Sequence, residues 1–138
     1  MKALVIDGSA TIGFLLRDER GAEALNALQA IEDGTPTFVP AHWSVEVANG
    51  LIVAERRRRA SQADITEAFT LVAELPVECD DETMARAFRD TAALARQYGL
   101  TLYDAAYLEL AMRRGASLAS TDSALCKAAR SAGVPVLG

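Results

Sequence analysis

Short continuous apolar runs alternate along the chain with longer stretches in which apolar residues return at helical spacing. Lys2 to Ile6 reads as a buried strand, with Leu4, Val5 and Ile6 continuous and Asp7 closing it. Gly8 and Ser9 break the strand and lead into a short helix from about Ala10 to Arg17. Asp18 suits the N-cap of a second helix carrying Ala24, Leu25, Leu28 and Ile31, which Gly34 stops. Thr37 to Val39 predicts a second strand, ended by Pro40. Trp43 to about Arg58 predicts a helix with Val47, Leu51 and Ala54 on one face. Ser61 and Asp64 resemble a capping box opening a further helix through Ile65, Phe69, Val72 and Leu75. Pro76 to Cys79 follows as a short third strand. A longer helix is expected over Asp81 to Gln97, with Met84, Ala85, Phe88, Ala92 and Ala95 inward and Gly99 as its stop. Tyr103 to Arg113 makes another helix, ended by Gly115. Ala116 to Ala119 is a strand, Asp122 to Ala132 the last helix, and Val134 to Leu137 a final strand.

Apolar strands alternating with helices indicate an α/β fold with a largely parallel sheet covered on both faces. No internal repeat, low-complexity stretch or linker interrupts the pattern, so residues 1–138 are expected to form a single domain. The chain is 51% hydrophobic and 24% charged, a globular balance. Aromatic residues make up only 6%, so the core must come mainly from Ala, Leu, Val and Ile. Cys79 and Cys126, the only cysteines, fit neither a disulfide framework nor a zinc pattern. The opening apolar run meets Asp7 too early for a signal-peptide core, and no segment is long enough to cross a bilayer. A soluble, cytoplasmic protein without membrane association is expected. The formal net charge of −5 argues against non-specific binding to nucleic acid. It does not exclude a nuclease, because carboxylates loaded with divalent cations reverse the local sign.

Ligands of parallel α/β sheets sit beyond the carboxyl ends of the strands. Asp7 follows the first strand, and Asp122 falls just past Ala116–Ala119 at the same edge if the two are parallel. Each has a plain structural alternative: Asp7 can form an Asx-turn over Gly8 and Ser9, and Asp122 can cap a helix, a role Thr121 can share. Glu46 lies in the first turn of its helix, where a carboxylate favours the dipole. Yet it stands between Val45 and Val47 with Asn49 one turn on, a pairing that suits a ligand held by an amide hydrogen bond. Asp104 is set in the otherwise apolar Leu102–Leu108, where a solvated role explains it poorly. Clustered carboxylates raise one another's pKa unless cations compensate, and hard oxygen ligands select Mg²⁺ or Mn²⁺ over zinc. His42, the only histidine, reads as structural or as a peripheral contact rather than a base.

The segments Val5–Ala10, Glu46–Leu51, Tyr103–Leu108 and Ser120–Leu125 resemble, in order, the motifs of PIN domains, and more narrowly of VapC-type toxins of toxin–antitoxin pairs. The match spans nearly the whole chain. One departure is Gly50, where the second motif more usually has Ala; it lowers helix propensity slightly. The resemblance implies a three-layer α/β/α fold on a mostly parallel five-stranded sheet, and a Mg²⁺- or Mn²⁺-dependent endoribonuclease. It places the metal-binding acids at Asp7, Glu46, Asp104 and Asp122, with Ser9 or Thr121 as hydroxyl contacts. It also implies a homodimer and a cognate antitoxin whose tail occupies the active site. Asp7 and Asp104 would be the core ligands, with Glu46 completing the set or orienting water and Asp122 acting through water; one ion or two is left open.

The Arg56, Arg57, Arg58 and Arg59 run, and Arg113 with Arg114, offer contacts for RNA phosphates or for an acidic partner. Cations at helix C-termini also favour the dipole, so the run has an ordinary explanation too. A dehalogenase-type phosphoryl-transfer domain would need a second Asp where Ser9 stands. A receiver domain would want paired acids after the first strand and a Lys after the last. No GxxxxGK[ST] loop supports an NTPase. The alternative from another class is a PIN-like scaffold without catalysis, which would be expected to have lost one or more of the four acids.

Overall fold

The computed structural model describes residues 1–16 and 21–137. Strand β1 (Leu4–Ile6) is followed by α1 (Gly8–Leu15) and α2 (Ala22–Glu32), then β2 (Thr37–Val39), α3 (Trp43–Arg56) and α4 (Gln62–Ala73). β3 (Glu78–Cys79), α5 (Thr83–Arg86), a π-helical turn (Ala87–Thr91) and α6 (Ala92–Tyr98) lead to α7 (Leu102–Arg114), β4 (Ser117–Ala119) and α8 (Ser123–Ser131). The expectations for Arg17 and the Asp18 cap fall outside the described residues. α1 begins at Gly8, two positions before the expected start, because Asp7 itself is the N-cap.

The four strands pair in the order β3-β2-β1-β4, all parallel. Leu4, Val5 and Ile6 are fully buried, as a central strand covered on both faces requires. Helix α7 packs on β1, β2 and β4; α1 lies against α2 and α3, α3 against α4, and α2 reaches β4. These contacts form the three layers. Leu51, Tyr107, Leu108 and Leu118 are among the largest fully buried side chains at their junctions. At roughly 0.8 kcal/mol per buried methylene, this core dominates the folding energy.

The five-stranded expectation is corrected to four. Residues 134–137 make a single parallel bridge, Val136 opposite Leu118, with the Leu118 amide donating to Pro135 (2.8 Å) and the Leu137 amide to Leu118 (2.8 Å). Pro135 has no N–H, so the ladder stops after these bonds.

The expected Asp81–Gln97 helix is also corrected. It is broken by the π turn, which inserts a residue and rotates the N-terminal part out of phase with α6. Met84 (80% exposed) and Phe88 (93% exposed) therefore face outward, and Ala85 is exposed too. Thr91 is the buried position. At its N-terminal end the contact between this segment and α7 is ionic instead. Arg113 donates to both oxygens of Asp80 (2.8 and 2.9 Å) and both oxygens of Glu109 (3.0 and 2.9 Å). Arg86 pairs with Glu82 and Asp90. Arg113 beside Asp80 holds that carboxyl below its ordinary range.

Gly50 has a packing reason. A Cβ there would overlap Cδ1 of Ile12, so the missing side chain leaves room for the tip of Ile12 from α1. Ser61 and Asp64 form the predicted capping box, each donating one 3.1 Å backbone bond to the other's side chain.

Candidate active site

Register decides what meets at the sheet's carboxyl edge. Ile6 lies opposite Ala119, so the next residues on the two strands, Asp7 and Ser120, are neighbours. Asp7 is buried and heavily bonded. Its Oδ1 accepts from the Ala10 amide (2.9 Å) and Ser9 Oγ (2.7 Å); its Oδ2 accepts from Ser120 Oγ (2.5 Å). Its carbonyl accepts from Thr11 Oγ1 (2.7 Å), which in turn accepts from Trp43 Nε1 (3.1 Å). The two hydroxyls also bind the facing segment: Ser9 Oγ accepts the Thr121 amide (3.0 Å), and Ser120 Oγ accepts the Asp122 amide (3.0 Å). Asp7 is thus held rigidly, with lone-pair capacity left on Oδ2.

Glu46 stands half-buried in the first turn of α3, over Gly8. A Cβ on Gly8 would collide with Glu46 Oε1, so only glycine leaves room for the carboxylate there. Asp104, half-buried, lies in the first turn of α7, whose cap is Thr101; Thr101 Oγ1 accepts the Asp104 amide (3.1 Å). Asp122 is exposed and caps α8, its Oδ2 accepting the Leu125 amide (2.8 Å).

Asp7, Glu46 and Asp104 are each raised by burial and by a neighbouring acid. Burial raises the Asp7 pKa, its three hydrogen bonds pull it back, and the charge of Asp104 raises it further. Burial raises Glu46 as well, with the charges of Asp7 and Asp104 adding to it and the Tyr107 hydroxyl and Gly8 amide opposing. Asp104 is raised by burial and by Asp122, and lowered by Thr101 and His42. Among the described residues, no Lys or Arg side chain pairs with any of the four; the one ionic neighbour is His42, whose Nε2 lies 3.7 Å from Glu46 Oε2. Three carboxylates raised by burial and by a neighbouring acid, with no Lys or Arg paired to them among the described residues, are what a divalent ion would neutralise, so the donor set fits one.

A tighter acidic trio lies elsewhere. Asp80, Asp81 and Glu82 bring one oxygen each within 4.8 Å of one another, which Asp7, Glu46 and Asp104 do not. Asp80 and Glu82 are already neutralised by Arg113 and Arg86, so that cluster has little charge left for a cation.

Two expected supports are relocated. Asn49 is exposed and makes no hydrogen bond to Glu46; Gly8, Tyr107 and His42 surround that carboxylate instead. Thr121 contributes its amide, while the hydroxyl on Asp7 beside that of Ser9 belongs to Ser120. Ser120, Gly8 and Tyr107 lie within the PIN-like segments of the sequence, but only strand register and helix packing give them their contacts. Arg56, Arg57, Arg58 and Arg59 are exposed at the far end of α3. Ten residues separate Arg56 from Glu46, about 15 Å along the axis at 1.5 Å per residue.

The acids gather at the C-terminal edge of a parallel sheet in three layers, which defines a class before any individual protein. The PIN domain profile matches residues 4–131, and the chain belongs to that family. It is similar to Ribonuclease VapC3 of Pyrobaculum aerophilum, 29% identical over 124 residues that cover 90% of this chain and 92% of the relative. It is 31% identical over 125 residues to Ribonuclease VapC3 of Mycobacterium tuberculosis, covering 91% of this chain and 86% of the relative. In fold it resembles the crystal structure of PAE2754 from Pyrobaculum aerophilum, at a TM-score of 0.67 and 20% identity over 91% of this chain and 78% of that one.

Proposed function

We propose that the chain is an endoribonuclease, the toxin of a toxin–antitoxin pair, with Asp7, Glu46, Asp104 and Asp122 as a centre for Mg²⁺ or Mn²⁺. One observation carries this reading. Burial and a neighbouring acid raise the pKa of each of Asp7, Glu46 and Asp104 beyond the strand ends, and among the described residues no lysine or arginine pairs with them. The scaffold alternative has nothing in its favour, since all four acids stand.

A divalent cation held by these acids would supply charge against the scissile phosphate and would lower the pKa of a water toward neutrality. Asp7, immobilised by its hydrogen bonds, and Asp104, fixed by the start of α7, are the principal ligands. Asp122 has one oxygen committed to its cap and acts with the other, through water. Glu46 completes the ligand set and, with its raised pKa, is also suited to receive the proton of the attacking water. The water oxygen forms the new P–O bond in line as the bond to the leaving oxygen breaks, and that oxygen collects a proton from solvent. Ser9 and Ser120 hold Asp7 in place throughout.

The partners follow from the same reading: RNA as substrate, a cognate antitoxin covering the site, and a second copy in a homodimer. Outward Met84 and Phe88 support a covered surface. At about 15 Å from Glu46, the Arg56–Arg59 run is placed to meet RNA away from the cut, or an acidic antitoxin segment. Action on cellular RNA places the protein in the cytoplasm; among the described residues no helix is long and apolar enough to cross a membrane. The test is cleavage of structured RNA by purified protein with Mn²⁺ or Mg²⁺, beside Asp7→Asn. Cleavage lost with that variant and with chelator is expected. Equal cleavage by both proteins overturns the assignment.

A further inference from the structure

Among the described residues, two buried side-chain polar atoms lack a hydrogen-bond partner: Nε2 of His42 and the hydroxyl of Tyr107. Buried polar atoms are nearly always satisfied, and each exception asks for a cause. Here the two share one neighbour. His42 Nε2 stands 3.7 Å from Glu46 Oε2, just beyond a hydrogen bond, and the Tyr107 hydroxyl faces the same carboxylate. They reach it from different elements. Tyr107 projects from α7 and is fully buried. His42 occupies the N-cap position of α3 without making a capping bond. Its ring is wedged edge-on between Tyr103 and Tyr107, at centroid distances of 5.6 and 5.2 Å.

Packing alone does not account for either group. Phenylalanine would fill the Tyr107 volume without stranding a hydroxyl, and a capping Ser or Asp would serve α3 better than His42. Both residues are chemically suited to donate, and Glu46 is the acceptor they have in common. We infer that Tyr107 and His42 are positioning residues for Glu46, two neutral donors that fix the orientation of its carboxylate when it is ionised and acting at the metal centre. Gly8 completes the arrangement, since its missing Cβ leaves Oε1 its place. The inference rests on the proposed metal centre and adds to it the groups that aim one of its acids.

Tyr107→Phe is the direct test, because it removes the hydroxyl and keeps the ring. Three quantities are read on the full chain: Mn²⁺ affinity by calorimetry, kcat and KM on an RNA the wild type cleaves, and the melting temperature in chelator. The variant is expected to bind Mn²⁺ about tenfold more weakly, the usual scale for losing a group that orients a ligand. Its kcat should fall with KM for RNA unchanged, and its metal-free melting temperature should hold or rise. In a Glu46→Gln background, Tyr107→Phe should change Mn²⁺ affinity no further. A lowered melting temperature with unchanged Mn²⁺ affinity makes Tyr107 merely structural and overturns the inference, as does an undiminished effect in the Glu46→Gln background. If Tyr107→Phe fails to fold, His42→Ala against His42→Gln decides. Weak Mn²⁺ binding by Ala that Gln restores supports the inference, and equal affinity for the two overturns it. Wild-type protein that binds no Mn²⁺ overturns the metal centre itself, a result distinct from all of these.

Discussion

Substituting Gly8 by alanine should separate the fold from the site. A Cβ at Gly8 would overlap Glu46 Oε1 and stand 3.0 and 3.1 Å from Glu46 Cδ and Cγ. The backbone there is helical and not left-handed, so alanine is tolerated conformationally and adds a few tenths of a kcal/mol to roughly 1 kcal/mol of helix propensity. The conflict is relieved by moving the end of a flexible side chain. Glu46 swings away, and nothing in the core has to shift. Losing the orientation of one ligand costs about 10- to 100-fold in metal affinity, or roughly 1.4–2.8 kcal/mol. Calorimetric titration with Mn²⁺, paired with thermal melting in EDTA, reads both sides. The expected result is a melting temperature at or above wild type and Mn²⁺ binding at least tenfold weaker. Wild-type Mn²⁺ affinity in Gly8→Ala would refute the claim that this glycine exists to seat Glu46.

Three further outcomes follow from the geometry. Ser120→Ala removes the 2.5 Å bond to Asp7, so RNA cleavage should fall about tenfold, one charged hydrogen bond's worth, while the fold survives by circular dichroism. Asp7→Asn should stabilise the metal-free protein near neutral pH. The sign runs this way because a carboxyl whose folded pKa is raised contributes stability below its unfolded pKa and loses it as pH rises through the folded value. The melting-temperature gap between Asp7→Asn and wild type in EDTA should therefore narrow on acidification toward pH 4; a constant gap would contradict it. Arg113→Ala leaves buried Asp80 with only its Thr83 hydrogen bond and buried Glu109 with only Arg86 at 4.0 Å, and should destabilise by about 3 kcal/mol in urea denaturation. A change under 1 kcal/mol would mean that water already screens that pair.

The fold was legible where periodicity and end signals agree. Leu4–Ile6, the Trp43 helix and the Ser61–Asp64 box are local patterns, and each is found in place. The π turn was not legible, since Met84, Ala85 and Phe88 keep helical spacing and only the inserted residue turns them out of phase with α6. Likewise nothing short of strand pairing shows that Pro135 limits residues 134–137 to one bridge. Within the site, Asp7, Glu46, Asp104 and Asp122 stood out as acids at strand ends and helix starts. Their supports did not, because Ser120 meets Asp7 only through the register of β1 on β4. Asn49 stays exposed for the converse reason: helical spacing from Glu46 says nothing about which way α3 is turned.

The central claim is that the acids beyond β1 and β4 hold the cation, and not the tighter trio beyond β3. Mn²⁺ titration of wild type, Asp7→Asn, Asp104→Asn and Glu82→Gln, each confirmed as folded, tests it directly. The account predicts binding by wild type and Glu82→Gln with matching affinity, and at least tenfold loss in Asp7→Asn and Asp104→Asn. Loss in Glu82→Gln with full binding in the other two would contradict it.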